Sequence, residues 1–234
     1  MKAGAPDQEY VGELRKLHAR LRHGDNTTQS ELDQLHYKLN TYKIHTASAE
    51  EILRLVDSQG NFTELMAPRW LCHLLGLRHR TVHVLLQWRS PSMGNVFIFQ
   101  VRSWQKFDSP GHLDISVGGH VTTDNVSPLT VDSAYREMKE ELGLDRNDLI
   151  GKKLLFQVGY ENYDQDESQS FYNAEWRDVY LGVLAENFNK LRFSDGEVVG
   201  LYLCPESEAE NLLSQTFIPL ASALRLSLPL CLHS

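Results

Sequence analysis

Three carboxylates and one guanidinium fall within six residues in Arg136-Glu137-Met138-Lys139-Glu140-Glu141, and Leu142-Gly143-Leu144 follows directly. At about 100° per residue this stretch reads as a helix, with Val131, Ala134, Tyr135, Met138 and Leu142 on one apolar stripe. Gly143 then ends the helix. Glu137 and Glu141, four residues apart, lie on the other side with Glu140 on their flank. Exposed like charges at this spacing repel by about 0.2–0.5 kcal/mol per pair. A hard, oxygen-liganded divalent cation, Mg²⁺ or Mn²⁺, removes that repulsion. Arg136 stands one turn before Glu140, where it can pair with that carboxylate and fix its rotamer. The plainer alternative is a solvated acidic helix face. Upstream, Val117-Gly118-Gly119-His120-Val121 supplies a strand end with two glycines.

Positioning such a helix requires strands around it. Residues 80–88 and 95–101 are β-rich runs joined by Pro91-Ser92-Met93-Gly94 as a hairpin loop. Residues 113–117 form another strand leading into the glycines, after a polar loop at 103–112. Residues 51–57 read as a strand followed by a turn at Ser58-Gln59-Gly60-Asn61, and 68–76 as a short helix or irregular connection ending at a glycine. Downstream, strands are expected at 153–159, 177–184 and 197–203, with an acidic, mobile loop at 161–169. Pro205 opens a helix through about Leu213, and the apolar tail from Phe217 packs as a C-terminal helix. Strands mixed with few helices, without repeated βα alternation, indicate an α+β fold: a mixed β-sheet flanked by helices in an α/β/α sandwich.

The first 48 residues have a different character. Tyr10, Leu14, Leu17 and Leu21 recur at helical spacing up to the stop at Gly24. Thr28-Gln29-Ser30-Glu31 reads as a capping box opening a second helix with Leu32, Leu35, Leu39 and Tyr42 on one face. This αα-hairpin (1–48) is too short to hold a core alone. It either caps the domain at 49–234 or builds a homodimer. His18, His23, His36 and His45 are scattered and read as surface residues. His79 and His83 share a strand face; a structural pair is favoured over a ligand pair, since no third ligand is near in sequence.

The 234 residues carry a net charge of −8, with 41% hydrophobic and 23% charged residues. That is enough chain for one sizeable core. The acidic balance excludes nucleic acid or an anionic membrane as the main partner. Cys72, Cys204 and Cys231 have no CxxC spacing and read as buried thiols in a reducing compartment. No stretch reaches membrane-spanning length, and Met1-Lys2-Ala3-Gly4 does not read as a signal peptide, so a cytoplasmic protein is expected.

The helix motif resembles the Nudix box, Gly-x5-Glu-x7-Arg-Glu-apolar-x-Glu-Glu-x-Gly-apolar. Its second half matches at every position from Arg136 to Leu144. Gly119 matches the opening glycine, but Asn125 stands at the first Glu and the spacer to Arg136 is three residues longer. Asp124 and Asp132 are the carboxylates that could stand in. About four fifths of the chain is similar to the branch of isopentenyl-diphosphate isomerase and its hydrolase relatives. The residues concerned are the Glu51-Ile52 to Asp57 strand, Leu77-Arg78-His79-Arg80 with His83-Val84, and Leu113 to Val121. In that branch isomerisation needs a Cys near the box glycines and a Glu on a later strand. Ile115 to Val121 contains no Cys, while Glu175 could match the later Glu.

The resemblance implies the Nudix fold and divalent-metal-dependent hydrolysis of a diphosphate bond in a small molecule, such as a nucleoside diphosphate alone or linked to another moiety. It implies Glu137, Glu140 and Glu141 as metal ligands for Mg²⁺ or Mn²⁺, with the Gly119 carbonyl as a further one. Arg136 orients a carboxylate, and the general base is Glu141 itself, Glu175 or Glu197. Arg89 and Arg102 are phosphate clamps or ordinary surface charges. The alternatives are an isomerase, disfavoured by the missing thiol, and a non-catalytic Nudix-fold binding module, disfavoured by the intact carboxylates.

Overall fold

A computed structural model describes residues 16, 27–39, 51–106, 108–123, 129–166, 171–185, 190–193 and 196–232. In chain order the elements are α1 (Gln29–Leu39), β1 (Ile52–Val56), β2 (Phe62–Pro68), α2 (Arg69–Leu75), β3 (His79–Ser90), β4 (Gly94–Arg102), β5 (Leu113–Asp114), β6 (Val117–His120) and α3 (Val131–Leu142). Then come β7 (Leu155–Asp166), β8 (Phe171–Val183), β9 (Val198–Pro205), α4 (Ala209–Ser214) and α5 (Ser222–Ser227). The order has no regular βα alternation and is the α+β arrangement of mixed sheet and flanking helices that the sequence implies. The expected first helix at 7–23, apart from Lys16, lies outside the described residues, as do His18, His23, His45, Asp124 and Asn125. No helix among the described residues is long and apolar enough to cross a membrane.

The chain divides into two compact units, the first made of Met1–Arg80, His120–Val126 and Tyr160–Arg177. Its β1 and β2 form an antiparallel hairpin. The turn is closed by the Asp57 carboxylate, which accepts from the Gln59 and Asn61 amides at 2.8 and 2.9 Å. Gly60 takes φ 80° there, a conformation that costs glycine little. β2 is a strand the pattern did not announce, because Phe62-Thr63-Glu64-Leu65-Met66-Ala67 lacks clean alternation.

Thr28 Oγ1 caps α1 by accepting from the Glu31 amide at 3.2 Å. Gln29 then bonds both backbone groups of Met66, at 2.9 and 3.0 Å, satisfying polar groups of β2. Leu32 and Leu39 bury against Leu53, Leu55, Trp70, Leu71 and Leu75. Leu32 and Leu39 of this helix are therefore covered by the chain itself, while Tyr42 lies outside the described residues. Gly76, at φ 63°, ends α2 as the glycine signal required.

The second unit comprises Thr81–Gly119, Ser127–Gly159 and Asp178–Ser234. β4 is its spine, paired antiparallel with β3 from Leu86↔Ile98 to Ser90↔Gly94, with β5, and with β9 along Val96–Arg102. Val84, Leu85, Phe97, Phe99, Val117, Met138, Leu142 and Val179 are fully buried there. The strand expected at 113–117 is split at Ile115-Ser116. The Ser116 hydroxyl takes over ladder duty, accepting from the Leu86 amide at 2.7 Å and donating to the Ile98 carbonyl. The expected loop at 161–169 is strand through Asp166: Tyr160, Asn162 and Tyr163 are only partly exposed within β7, which pairs with β8. Its acidic composition suggested solvation, but pairing settles the backbone.

Candidate active site

Helix α3 carries the candidate chemistry and is pinned at both ends within the second unit. At its start the Thr130 hydroxyl donates to Asp178 Oδ2 at 2.6 Å and accepts from the Tyr180 hydroxyl at 2.7 Å, all three groups being buried. At its end Gly143 adopts φ 69° and its amide bonds the Lys139 carbonyl, while the Arg192 amide bonds the Leu142 carbonyl at 3.0 Å. Midway, the Tyr135 hydroxyl accepts from the Leu154 amide at 2.8 Å, and the Arg146 guanidinium sits 4.4 Å over the Tyr135 ring.

The apolar stripe is buried as its period requires, Ala134, Met138 and Leu142 being inaccessible. The acidic side is not simply a solvated face. Glu137 and Glu141 are only 8% and 4% exposed, whereas the Glu140 side chain is about half exposed. Arg136 holds two of the three, Nη2 to Glu137 Oε1 at 2.7 Å and Nη1 to Glu140 Oε2 at 2.9 Å. Buried carboxylates need such compensation.

Gly119, at the end of β6, meets this turn directly. A Cβ there would lie 2.0 Å from Glu137 Cδ and 2.1 Å from its Oε1. Only a residue without a side chain lets the strand backbone approach that carboxylate. This donor set suits a hard divalent cation: carboxylates one helical turn apart, a flanking exposed one, and the strand backbone at Gly119 alongside. Glu137, Glu140, Glu141 and the Gly119 carbonyl are the groups that could hold it.

The other residues singled out have definite places. Arg102 is buried and committed to acids, with Nη1 2.7 Å from Asp114 Oδ2 and Nη2 2.8 Å from Asp108 Oδ2. Burial pushes the Asp114 carboxyl up from its usual range, and Arg102 pulls against that. Arg89 is exposed on β3. Glu197 ion-pairs with Lys106 Nζ at 2.5 Å. Glu175 belongs to the first unit, where its Oε2 accepts from Arg177 Nε at 2.7 Å and its Oε1 is 4.0 Å from His79 Nε2. His79 and His83 do not work as a pair. His83 Nδ1 bonds the Ser227 hydroxyl at 2.8 Å, and His79 faces His73 and His120, which spacing alone did not connect to it.

No family model matches the chain. It is 32% identical over 170 residues to Nudix hydrolase 3 of Arabidopsis thaliana, a match covering 71% of this chain and 21% of that protein. The chain thus spans about a fifth of the length of that relative. It is 28% identical over 171 residues to an uncharacterized Nudix hydrolase of Clostridium acetobutylicum, covering 65% of this chain and 78% of that one. Among solved structures, DR0079 from Deinococcus radiodurans superposes with a TM-score of 0.56 at 17% identity, over 77% of this chain and 99% of that one, a likeness of fold.

Proposed function

The chain is a relative of the Nudix hydrolases, and from that premise we propose that it hydrolyses a diphosphate bond in a nucleoside diphosphate, or in a nucleoside diphosphate linked to another moiety, at the Glu137–Glu141 turn of α3. The observation that carries this reading is the meeting of Gly119 with Glu137 beside Arg136. Mg²⁺ or Mn²⁺ held by Glu137, Glu140, Glu141 and the Gly119 carbonyl would neutralise phosphate charge and lower the pKa of an attacking water. Arg136 fixes the Glu137 and Glu140 rotamers, so two ligand oxygens are presented without rearrangement. Glu141, buried on the same turn, would take the proton from water. Glu197 and Glu175 are each already committed to a cation, Lys106 and Arg177.

Isomerisation finds no support in the thiols. Burial pushes Cys204 and Cys231 up to about 11 and Cys72 higher still, and none lies in the glycine segment. The test is a screen of nucleoside diphosphates, nucleotide sugars, dinucleotides and prenyl diphosphates with Mg²⁺ and Mn²⁺, with products identified for the native chain and Glu137→Gln. Metal-dependent cleavage that falls by about a hundredfold or more in the variant is expected, the scale of deleting one key electrostatic contact. Full turnover by the folded variant, or none by the native chain on any diphosphate, contradicts the reading.

A further inference from the structure

We propose that Trp104 is a stacking platform for a nucleobase, by which the second unit selects a nucleoside diphosphate over a prenyl or other non-aromatic diphosphate. This rests on the reading of α3 as a site for diphosphate hydrolysis and concerns the part of the substrate beyond the phosphates. Trp104 stands two residues after β4 and is 76% exposed. A singly exposed apolar side chain needs no explanation; the way this one is mounted does. Gly111 lies against the ring, where a Cβ would meet Cη2, Cζ3 and Cζ2 at 2.4, 2.5 and 2.7 Å. Three neighbouring ring atoms at nearly equal distances mean contact with the face of the ring and not with its edge. Only a residue without a side chain allows this approach, and Gly111, at φ 71°, also holds a conformation that favours glycine. One face of the indole is thus seated on backbone, and the other is open to solvent.

The backbone that carries the ring is held as well. The Ser103 amide bonds the Glu197 carbonyl at 2.8 Å and the Lys106 amide bonds the Ser103 carbonyl at 3.2 Å. The Gln105 amide bonds Ser103 Oγ at 3.3 Å. Arg102 Nε and Nη2 donate to the Asp108 carbonyl at 3.3 and 3.0 Å, and His112 Nδ1 donates to the Pro110 carbonyl at 2.9 Å. A flat ring fixed in advance loses little freedom when a ligand stacks on it, so more of the contact appears as affinity.

The platform is joined to the acidic turn of α3 at both ends of its loop, all within the second unit. At the start, burial works against the Arg102 charge, while Asp108, Asp114 and Glu141 together hold its pKa above the usual range, so the root of the loop lies in the field of Glu141. At the finish, β5 leads into β6, whose Gly119 meets Glu137. Every nucleobase has a flat π-face to lay on the open side of the indole, and a prenyl chain has none.

The test reads binding without turnover, by calorimetry on the full chain with Mg²⁺. The probes are the α,β-methylene analogues of ADP, GDP, CDP and UDP, whose P–C–P bridge water does not cleave. The isopentyl ester of methylenediphosphonate supplies the same bridge with no base. At least one nucleotide analogue is expected to bind more tightly than the isopentyl ester. Trp104→Leu should raise its Kd by about 5–150-fold, which is about 1–3 kcal/mol at about 1.4 kcal/mol per tenfold. Trp104→Phe, which keeps an aromatic face, should lose less, and Gly111→Ala, which pushes the ring off its seat, should follow Trp104→Leu. The isopentyl ester should bind the native chain and both Trp104 variants within about threefold. The proposal is overturned if Trp104→Leu leaves nucleotide affinity unchanged, if it weakens nucleotide and isopentyl ester equally, or if the native chain binds no nucleotide analogue saturably. No bond breaks in this assay, so its failure is distinct from a failure of hydrolysis. A chain that binds nucleotide through Trp104 and cleaves no diphosphate upholds the platform and contradicts the reading of α3.

Discussion

Replacing Gly119 by alanine adds one methyl group where the structure has no room for it. The new carbon would stand 2.0 Å from Glu137 Cδ, 2.1 Å from Oε1 and 2.5 Å from Cγ, against a comfortable carbon contact of about 3.5–4.0 Å. The Gly119 backbone is not in the left-handed region, so the strand itself tolerates alanine and the whole conflict falls on the carboxylate. Glu137 must retreat by about 1.5 Å, which breaks its 2.7 Å contact with Arg136. For stability, overpacking costs about 1–3 kcal/mol and the stiffer unfolded chain returns about 0.4–1, so the net loss is small. For turnover, a misplacement of about 1 Å already costs about a hundredfold, so kcat should fall at least that far and the requirement for Mg²⁺ or Mn²⁺ should rise. Gly118→Ala is the control. Its Cβ would press on Ile115 Cδ1 at 2.9 Å, the end of a flexible side chain, and activity should stay within about threefold, less than 1 kcal/mol of barrier. The assay is kcat against metal concentration, alongside thermal unfolding of both variants. Gly119→Ala with native turnover and native metal dependence refutes the role given to this contact.

Gly143→Ala forces a side chain into φ 69° with its Cβ 3.2 Å from Arg192 Cβ. It should cost about 1–2 kcal/mol in urea unfolding; an unchanged midpoint would count against the glycine cap. Thr130→Val removes the hydroxyl bonded to buried Asp178 and Tyr180 and should cost about 1–3 kcal/mol; a neutral effect would show that the network does not anchor α3. The Asp145 amide, and then Lys190, hold the Asp148 carboxyl below its usual range. The stability it contributes is therefore present above about pH 4 and lost as pH falls through the lower folded value. Asp148→Asn should be less stable than the native chain at pH 6 and match it near the acid end of that window, as read by urea midpoints; a gap constant with pH would contradict the assignment.

Much of α3 was readable from the chain. The 3.6-residue stripe, the Arg136–Glu140 spacing and the terminating Gly143 are local, so periodicity and capping reported them correctly. Burial of Glu137 and Glu141 was not readable, because it depends on tertiary packing, for Glu137 on β6 bringing Gly119 against the helix. The hairpin of β3 and β4 followed from β-rich runs around Pro91-Ser92-Met93-Gly94, but β2 did not, since its face pattern is irregular. Segment 161–166 misled because acidic composition describes solvation of side chains, while pairing of β7 with β8 decides the backbone. The histidines are the clearest case. Period-two alternation matched His79 with His83, yet His83 turns to Ser227 and His79 finds partners from a helix and another strand. No spacing rule joins positions 73, 79 and 120.

The most direct measurement of the hydrolytic reading is the fate of oxygen from ¹⁸O-labelled water during turnover of an active diphosphate substrate with Mn²⁺, compared between the native chain and Glu141→Gln. Attack of water on phosphorus forms a new P–O bond and breaks the bridging one, so label must enter a phosphate product and nowhere else. The native chain is predicted to place ¹⁸O in phosphate, and Glu141→Gln to do so at least about a hundredfold more slowly. Prenyl diphosphate double bonds should stay in place. Rearranged alkene with its diphosphate intact and unlabelled, or equal labelling by the folded variant, would contradict the account.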